Sequence, residues 1–209
     1  LSDPDGFHWV GGHPVADFVN TVTDRGRSVE RDGLSSYGAL LRWVVKAELM
    51  DQPEANKVED LAAAVPSGAA RALEEAREVR EAMHAVLLSL AQAARPPATL
   101  TAWLEALFAE SGASWKLDWS EEGARRRMAP AVGVRTPTLL IVDAFVAFAT
   151  SPEFSRTKIC SGEDCDFVFL DLSPKQDRLW CEMRVCGNRA KVKAWRARKR
   201  QPAEANRGP

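Results

Sequence analysis

The four cysteines of the chain fall in one stretch as two equally spaced pairs, Cys160-x4-Cys165 and Cys181-x4-Cys186, separated by fifteen residues. Such pairs suit a tetrahedral zinc ion. Each short pair bends the backbone around the metal and supplies two thiolates, and the two pairs complete a four-sulfur shell. Other uses of these cysteines fit less well. Two disulfides need an oxidising compartment, and no basic-then-apolar start resembles a signal peptide. Redox catalysis favours a C-x-x-C pair, whereas both pairs here enclose four residues. A catalytic zinc keeps one position open beside histidine or carboxylate ligands, and four thiolates fill the shell. The expectation is one structural zinc per chain, held by Cys160, Cys165, Cys181 and Cys186.

Directly after Cys186 the chain carries Arg189, Lys191, Lys193, Arg196, Arg198, Lys199 and Arg200 with no acid among them. Arg189, Lys193, Arg196 and Arg200 recur at i, i+4, i+7 and i+11, a single helical stripe, while Val185, Val192 and Trp195 could pack on a neighbouring hairpin. Such a helix is built to meet phosphates, with Asn188 and Arg189 at its start best placed to reach a base edge in a groove. The competing reading is a solvated helix that docks on the chain's own acidic part. Residues 184–209 hold nine Lys/Arg against Glu204, so the overall charge of −1 divides into +8 there and −9 over residues 1–183.

The elements that must position these groups follow from the pattern. Asp166 to Asp171 is strand-like, Leu172-Ser173-Pro174-Lys175 is a turn, and a second strand could lead through Leu179 and Trp180 into Cys181, giving knuckle, hairpin, knuckle, helix. Ahead of the module, Phe7 to Val10 reads as a short strand before Gly11-Gly12, and Val15, Phe18, Val19 and Val22 mark a helix from His13 to about Thr23. Its opposite side gathers Asp17, Asn20, Thr21 and Asp24, read first as a solvated face and alternatively as Asp17 and Asn20 lining a ligand pocket.

Further helices are expected over 35–49, from Pro53 to Val65, from Ser67 to about Ala94, and from Leu100 to near Gly112. His84 lies beside the apolar stripe of the longest and reads as structural. Trp115 to Trp119 alternates apolar and charged residues as a strand does, with Phe7 to Val10 as candidate partner, and Arg125-Arg126-Arg127 reads as solvated surface. Thr138 to Thr150 is apolar nearly all round but too short for a membrane span. Asp143 in its middle needs an arginine partner or a pocket, since an unpaired buried charge is very costly. No nucleophile with a positioned base, phosphate loop or open metal site is visible, so no enzyme is expected. With no apolar window of spanning length, the expectation is a soluble, cytoplasmic chain without membrane partners.

The run Cys181-Glu-Met-Arg-Val-Cys186-Gly187-Asn188-Arg189-Ala-Lys191 resembles the CGNR zinc-finger family, supported upstream by Phe169-Leu-Asp171-Leu-Ser173 and Arg178-Leu-Trp180-Cys181. In that family the finger follows an N-terminal ABATE domain, whose leading motif Asp17-Phe-Val-Asn20-Thr21 resembles. The resemblance implies a bacterial stress-induced transcription regulator, with a treble-clef-like zinc ribbon for DNA and a front domain that senses a small molecule. Asp166 departs from the pattern, because a glycine commonly follows the second cysteine.

The expected architecture is α+β: a mainly helical domain with a small β element over 1–152, a zinc module over 153–201 with a basic helix, and a disordered tail over 202–209. Double-stranded DNA is the expected partner through Asn188, Arg189, Lys191, Lys193, Arg196, Arg198, Lys199 and Arg200, and Asp17, Asn20 and Asp143 are the candidate effector contacts. A zinc-stabilised RNA-binding or protein-interaction module is the alternative, and the sequence leaves the oligomeric state open.

Overall fold

The computed structural model describes residues 2–121 and 123–200, and the tail expected to be disordered lies outside them. The fold is α+β, with seven helices, α1 to α7, and three two-stranded antiparallel sheets among the described residues. In the body, α1 (Pro14–Val19) is followed by the strand pair β1 (Val22–Thr23) and β2 (Arg31–Asp32). Then come α2 (Tyr37–Lys46), α3 (Gln52–Ala64), α4 (Pro66–Ala91) and α5 (Ala98–Ser114). The ribbon of β3 (Trp115–Ser120) and β4 (Gly123–Met128) precedes α6 (Thr136–Ala149).

Local chemistry sets several of these boundaries. Ser36 caps α2 by accepting from Ala39 N, and Asp51 caps α3 by accepting from Glu54 N, each satisfying an N–H that the first turn leaves free. Pro66, expected to separate two helices, begins α4 instead, where its missing N–H costs nothing. An apolar stretch over 132–149 has the length and composition of a membrane span. Non-helical Gly133 interrupts it, however, and α6 proper is a 14-residue helix with nine residues buried in the body.

Three expectations about strands are corrected. Leu179 and Trp180 form no strand, and Val168–Leu170 pairs instead with a strand ahead of Cys160, Thr157–Ile159. Phe7 to Val10 is extended but joins no ladder; the segment is held by Asp3, whose carboxylate accepts from Phe7 N and Trp9 Nε1, and by Trp9 stacked on Trp43. Trp115–Ser120 pairs with Gly123–Met128 and not with Phe7 to Val10. The arginine run in β4 hid the second strand, because it lacks the apolar alternation that marks the first.

The module begins after a 3-10 turn at Pro152–Arg156, with β5 (Thr157–Ile159) paired to β6 (Val168–Leu170). A π turn at Met183–Gly187 then leads into α7 (Asn188–Arg200). No tether separates this module from the body. Side chains alternate across a strand, so Val168 and Leu170 enter the core built by α1, α2, α4 and α6, while Phe169 turns to the cluster of Cys160, Phe167, Cys181 and Cys186. Burying the two aliphatic side chains contributes about 2 kcal/mol each, so one three-residue strand serves as a wall between two cores.

That wall explains why α1 departs from its expected amphipathic form. Its polar side faces β6 and not water, and Val15 through Val19 are all buried. Asn20 mimics a strand partner: its Nδ2 donates to Val168 O at 2.8 Å and its Oδ1 accepts from Val168 N at 2.9 Å. Leu170 N donates to Gly11 O at 2.7 Å, and Gly11 N to Asp17 Oδ1 at 2.7 Å. A Cβ on Gly11 would lie 2.7 Å from Ala16 Cβ and 2.9 Å from Asp17 N, so only glycine permits this approach.

Candidate metal centre and nucleic-acid helix

The four cysteines expected as ligands converge. Cys160 follows β5, Cys165 closes the first knuckle just before β6, Cys181 ends the loop after β6, and Cys186 sits in the π turn before α7. Their sulfurs all lie within 4.8 Å of one another, with Cys165 to Cys181 and Cys181 to Cys186 both at 3.7 Å. A zinc tetrahedron with bonds of about 2.3 Å has edges of about 3.8 Å, so the sulfurs already stand at the spacing the ion requires. They are free of disulfides.

The surroundings favour the thiolate form at Cys160. Cys160 Sγ accepts from Cys181 N at 3.3 Å and Gly162 N at 3.4 Å. Sulfhydryl donors from Cys165 and Cys181, helped by those N–H groups, hold Cys160 far below the ordinary thiol range. Donation to Cys160 keeps Cys165 and Cys181 well above that range. Protein donors alone thus favour a single thiolate, and a divalent cation is what allows four to coexist. The site therefore fits one structural zinc, with all four positions taken by protein.

Two glycines make room. A Cβ on Gly162 would lie 3.1 Å from Cys165 Cβ and 3.3 Å from Cys186 Sγ, and one on Gly187 would lie 2.4 Å from Met183 Sδ. A methyl at Gly162 would crowd two of the ligand cysteines, whereas one at Gly187 would first displace the flexible Met183 side chain.

The residues that brace the centre were less visible in the sequence. Asp171 is fully buried and accepts from Lys158 Nζ at 2.7 Å, Ser173 N and Oγ, and Arg178 N. Burial alone would raise its pKa, but Lys158 and these hydrogen bonds outweigh it and keep the carboxyl well below the usual carboxylate range. Arg178 stacks on Phe169 at 4.6 Å and donates to the carbonyls of Trp180 and Cys181, fixing the second knuckle. The Asp171-Leu-Ser173 signature thus folds the loop that delivers Cys181, a role its sequence pattern did not announce.

The first knuckle is also clamped by the body. Arg25 bridges Glu81 at 2.9 Å and Asp166 at 3.4 Å, Arg27 pairs with Asp164 at 2.6 Å, and His84 Nε2 donates to Asp166 O at 3.3 Å. Burial, with Arg25 nearby, lowers the His84 pKa and outweighs the hydrogen bond to Asp166 O, which raises it. Asp166 stands where a glycine is common. It is absent from the positive-φ residues, so this turn needs no glycine.

The expected effector contacts are internal. Burial pushes Asp17 up to about 6 despite the N–H groups of Gly11 and Val10. Asn20 is spent on Val168. Asp143 accepts from Trp115 Nε1 at 3.1 Å and pairs with Arg126 at 3.4 Å, the arginine whose guanidinium stacks 4.0 Å over Trp115. Two body grooves, of about 510 and 620 Å³, lie instead along α4 and α5 around Trp103.

The expected nucleic-acid residues stand on a projecting helix. Asn188, Arg189, Lys191, Lys193, Arg196, Arg198 and Lys199 are exposed, and the side chain of Arg200 lies outside the description. Asn188 Nδ2 donates to Arg184 O at 3.1 Å, tying the helix start to the π turn beside Cys186. Lys193 pairs with Glu163 across a groove of about 1210 Å³ between α7 and the first knuckle. Val192 and Trp195 do not pack on the hairpin: they are 47% and 51% exposed, with Lys199 4.4 Å above the Trp195 ring. Val192 instead lines the groove that faces the first knuckle, and Trp195 is met by Lys199 of its own helix.

Comparison with known families agrees with this geometry. Residues 156–199 match the CGNR zinc finger, and residues 12–152 match ABATE, described as a putative stress-induced transcription regulator. No curated protein matches the chain. With most of its length matched in this order, the chain belongs to the ABATE family and ends in a CGNR zinc finger.

Proposed function

We propose that the protein is a zinc-dependent transcription regulator that binds duplex DNA through α7. The carrying observation is a helix exposed along its length, free of acids and rich in Arg and Lys, whose start is fixed by Cys186, Gly187 and the Asn188 contact to Arg184. Arg189, Lys193 and Arg196 form the phosphate stripe, Lys191, Arg198, Lys199 and Arg200 flank it, and the net −9 of residues 1–183 keeps the body off the duplex. The zinc holds the helix and performs no chemistry, and this reading assigns the chain no catalytic step. For the body we propose small-molecule sensing at the α4–α5 grooves around Trp103, in place of Asp17, Asn20 and Asp143.

The test is titration of duplex DNA at several salt concentrations. Replacing Arg189, Lys193 and Arg196 together with Ala should weaken binding and reduce the salt slope by up to about 3. No duplex binding by the unaltered chain even at low salt would sink the proposal. A second reading, single-stranded RNA or protein recognition, is favoured by one observation, the exposed Trp195. It requires that Trp195→Ala cost more affinity than the triple charge replacement.

A further inference from the structure

The β3–β4 ribbon has no part in the reading above. It stands out from the body with Leu117 53% and Trp119 76% exposed, and each strand has the other as its one ladder partner among the described residues. The register fixes which backbone groups remain free. Ser114 O accepts from Ala129 N at 2.8 Å, and the pairs Lys116 with Arg127, Asp118 with Arg125 and Ser120 with Gly123 share its parity. Residues of that parity bond within the ribbon. In an antiparallel ladder the intervening Leu117 and Trp119 then direct N–H and C=O to the outer edge, while the Trp115 N–H is taken by Gly112 O at the end of α5. An unpaired edge of this kind is a template for another strand.

The sequence along the edge specifies which strand. Trp115-Lys116-Leu117-Asp118-Trp119 is self-complementary about Leu117 when run antiparallel to itself. We infer that β3 pairs with β3 of a second copy of this chain across a two-fold axis at Leu117, giving the sheet order β4, β3, the partner's β3, the partner's β4. Lys116 then faces the partner's Asp118, and Trp119 at the ribbon tip meets the partner's Trp115 at the ribbon base. Within one chain Lys116 has no ion pair among the described residues and stands directly across from Arg127, whose guanidinium is engaged by Asp118 at 2.5 and 3.0 Å. The partner's carboxylate supplies the missing opposite charge. The outer edge of β4 is excluded as the seam, because antiparallel self-pairing there sets Arg125, Arg126 and Arg127 against their copies, and like charges opposite one another repel. The contact is isologous, as a closed dimer requires.

Analytical ultracentrifugation of the full, zinc-loaded chain tests the inference. A concentration-dependent dimer is expected at on the order of micromolar concentrations. Leu117→Pro removes an N–H that points to the edge, which a single chain tolerates, and should abolish the dimer with zinc content and helicity unchanged. Lys116→Asp and Asp118→Lys should each weaken dimerisation about tenfold or more, while the double exchange K116D/D118K recovers it, because a carboxylate and an ammonium again face each other. The double exchange also keeps the test decisive should the proline variant misfold. A monomer at all concentrations, a dimer unaffected by Leu117→Pro, or a double exchange no better than its singles would each overturn the inference.

Discussion

Replacing Asn20 with alanine tests the joint between body and module most directly. The side chain is fully buried and makes both of its hydrogen bonds to the Val168 backbone, at 2.8 and 2.9 Å. Alanine leaves a buried N–H and a buried C=O without partners. Each orphaned group costs about 1–3 kcal/mol, so the expected loss is about 4 kcal/mol, a large share of the 5–15 kcal/mol typical of a domain. Urea unfolding of the zinc-loaded chain, followed by tryptophan fluorescence, should move its midpoint down by about 2 M for a slope near 2 kcal/mol/M. Chelator competition on the same variant should show weaker zinc retention, because β6 leads directly out of the knuckle that carries Cys165. Asn20→Asp should be at least as damaging, since it keeps the acceptor, loses the donor and sets a carboxylate against Val168 O. A loss under about 1 kcal/mol, or zinc retention untouched by a clear loss of body stability, would refute the reasoning that β6 belongs to both cores.

Metal analysis of the purified chain should find about one zinc, and Cys181→Ser should lower that content and expose the Phe167 and Phe169 cluster, read as dye binding. Gly162→Ala should weaken zinc retention about tenfold in chelator competition, because its methyl would crowd Cys165 and Cys186. Asp17 is raised from the ordinary carboxylate value to about 6 by burial, so the folded state binds its proton more tightly than the unfolded state. Stability from this group is therefore present below about pH 4 and lost as pH rises through about 6, by at most about 3 kcal/mol. Denaturation of Asp17→Asn beside the unaltered chain should show the variant gaining relative stability between pH 4 and pH 7, and a flat difference would contradict the assignment.

The sequence exposed the metal centre because thiolate pairs have few structural alternatives, and Cys160, Cys165, Cys181 and Cys186 meet as their spacing requires. The starts of α2 and α3 were legible to within a residue or two, at 35 and Pro53, but the capping Ser36 and Asp51 were not singled out. Contacts across long separations were not legible. Asn20 and Val168 lie 148 residues apart, and no periodicity within α1 could reveal that its polar side would meet a strand and not water. Asp17 and Asn20 consequently read as solvated or ligand-facing, though both are buried and bonded to backbone. The β4 strand was missed because Arg125 and Arg126, on opposite faces of the ribbon, are both exposed and Arg127 is only partly buried, so burial imposed no alternation on them. Asp143 proved to have the arginine partner that a helix-centre carboxylate demands, but the sequence could not choose Arg126 from its neighbours.

The strand β6, with Val168 and Leu170 on one side and Phe169 on the other, also makes the protein's folding equilibrium a function of free zinc. Metal that binds only the folded chain adds RT ln(1 + [Zn]/Kd) to its stability, about 1.4 kcal/mol for each tenfold of free ion beyond the dissociation constant. Because one strand lines both cores, that increment reaches the helical body as well as the finger. Zinc availability therefore shifts the folded fraction of the whole chain, and a fragment cut at the 152/153 boundary would carry Val168 and Leu170 into water.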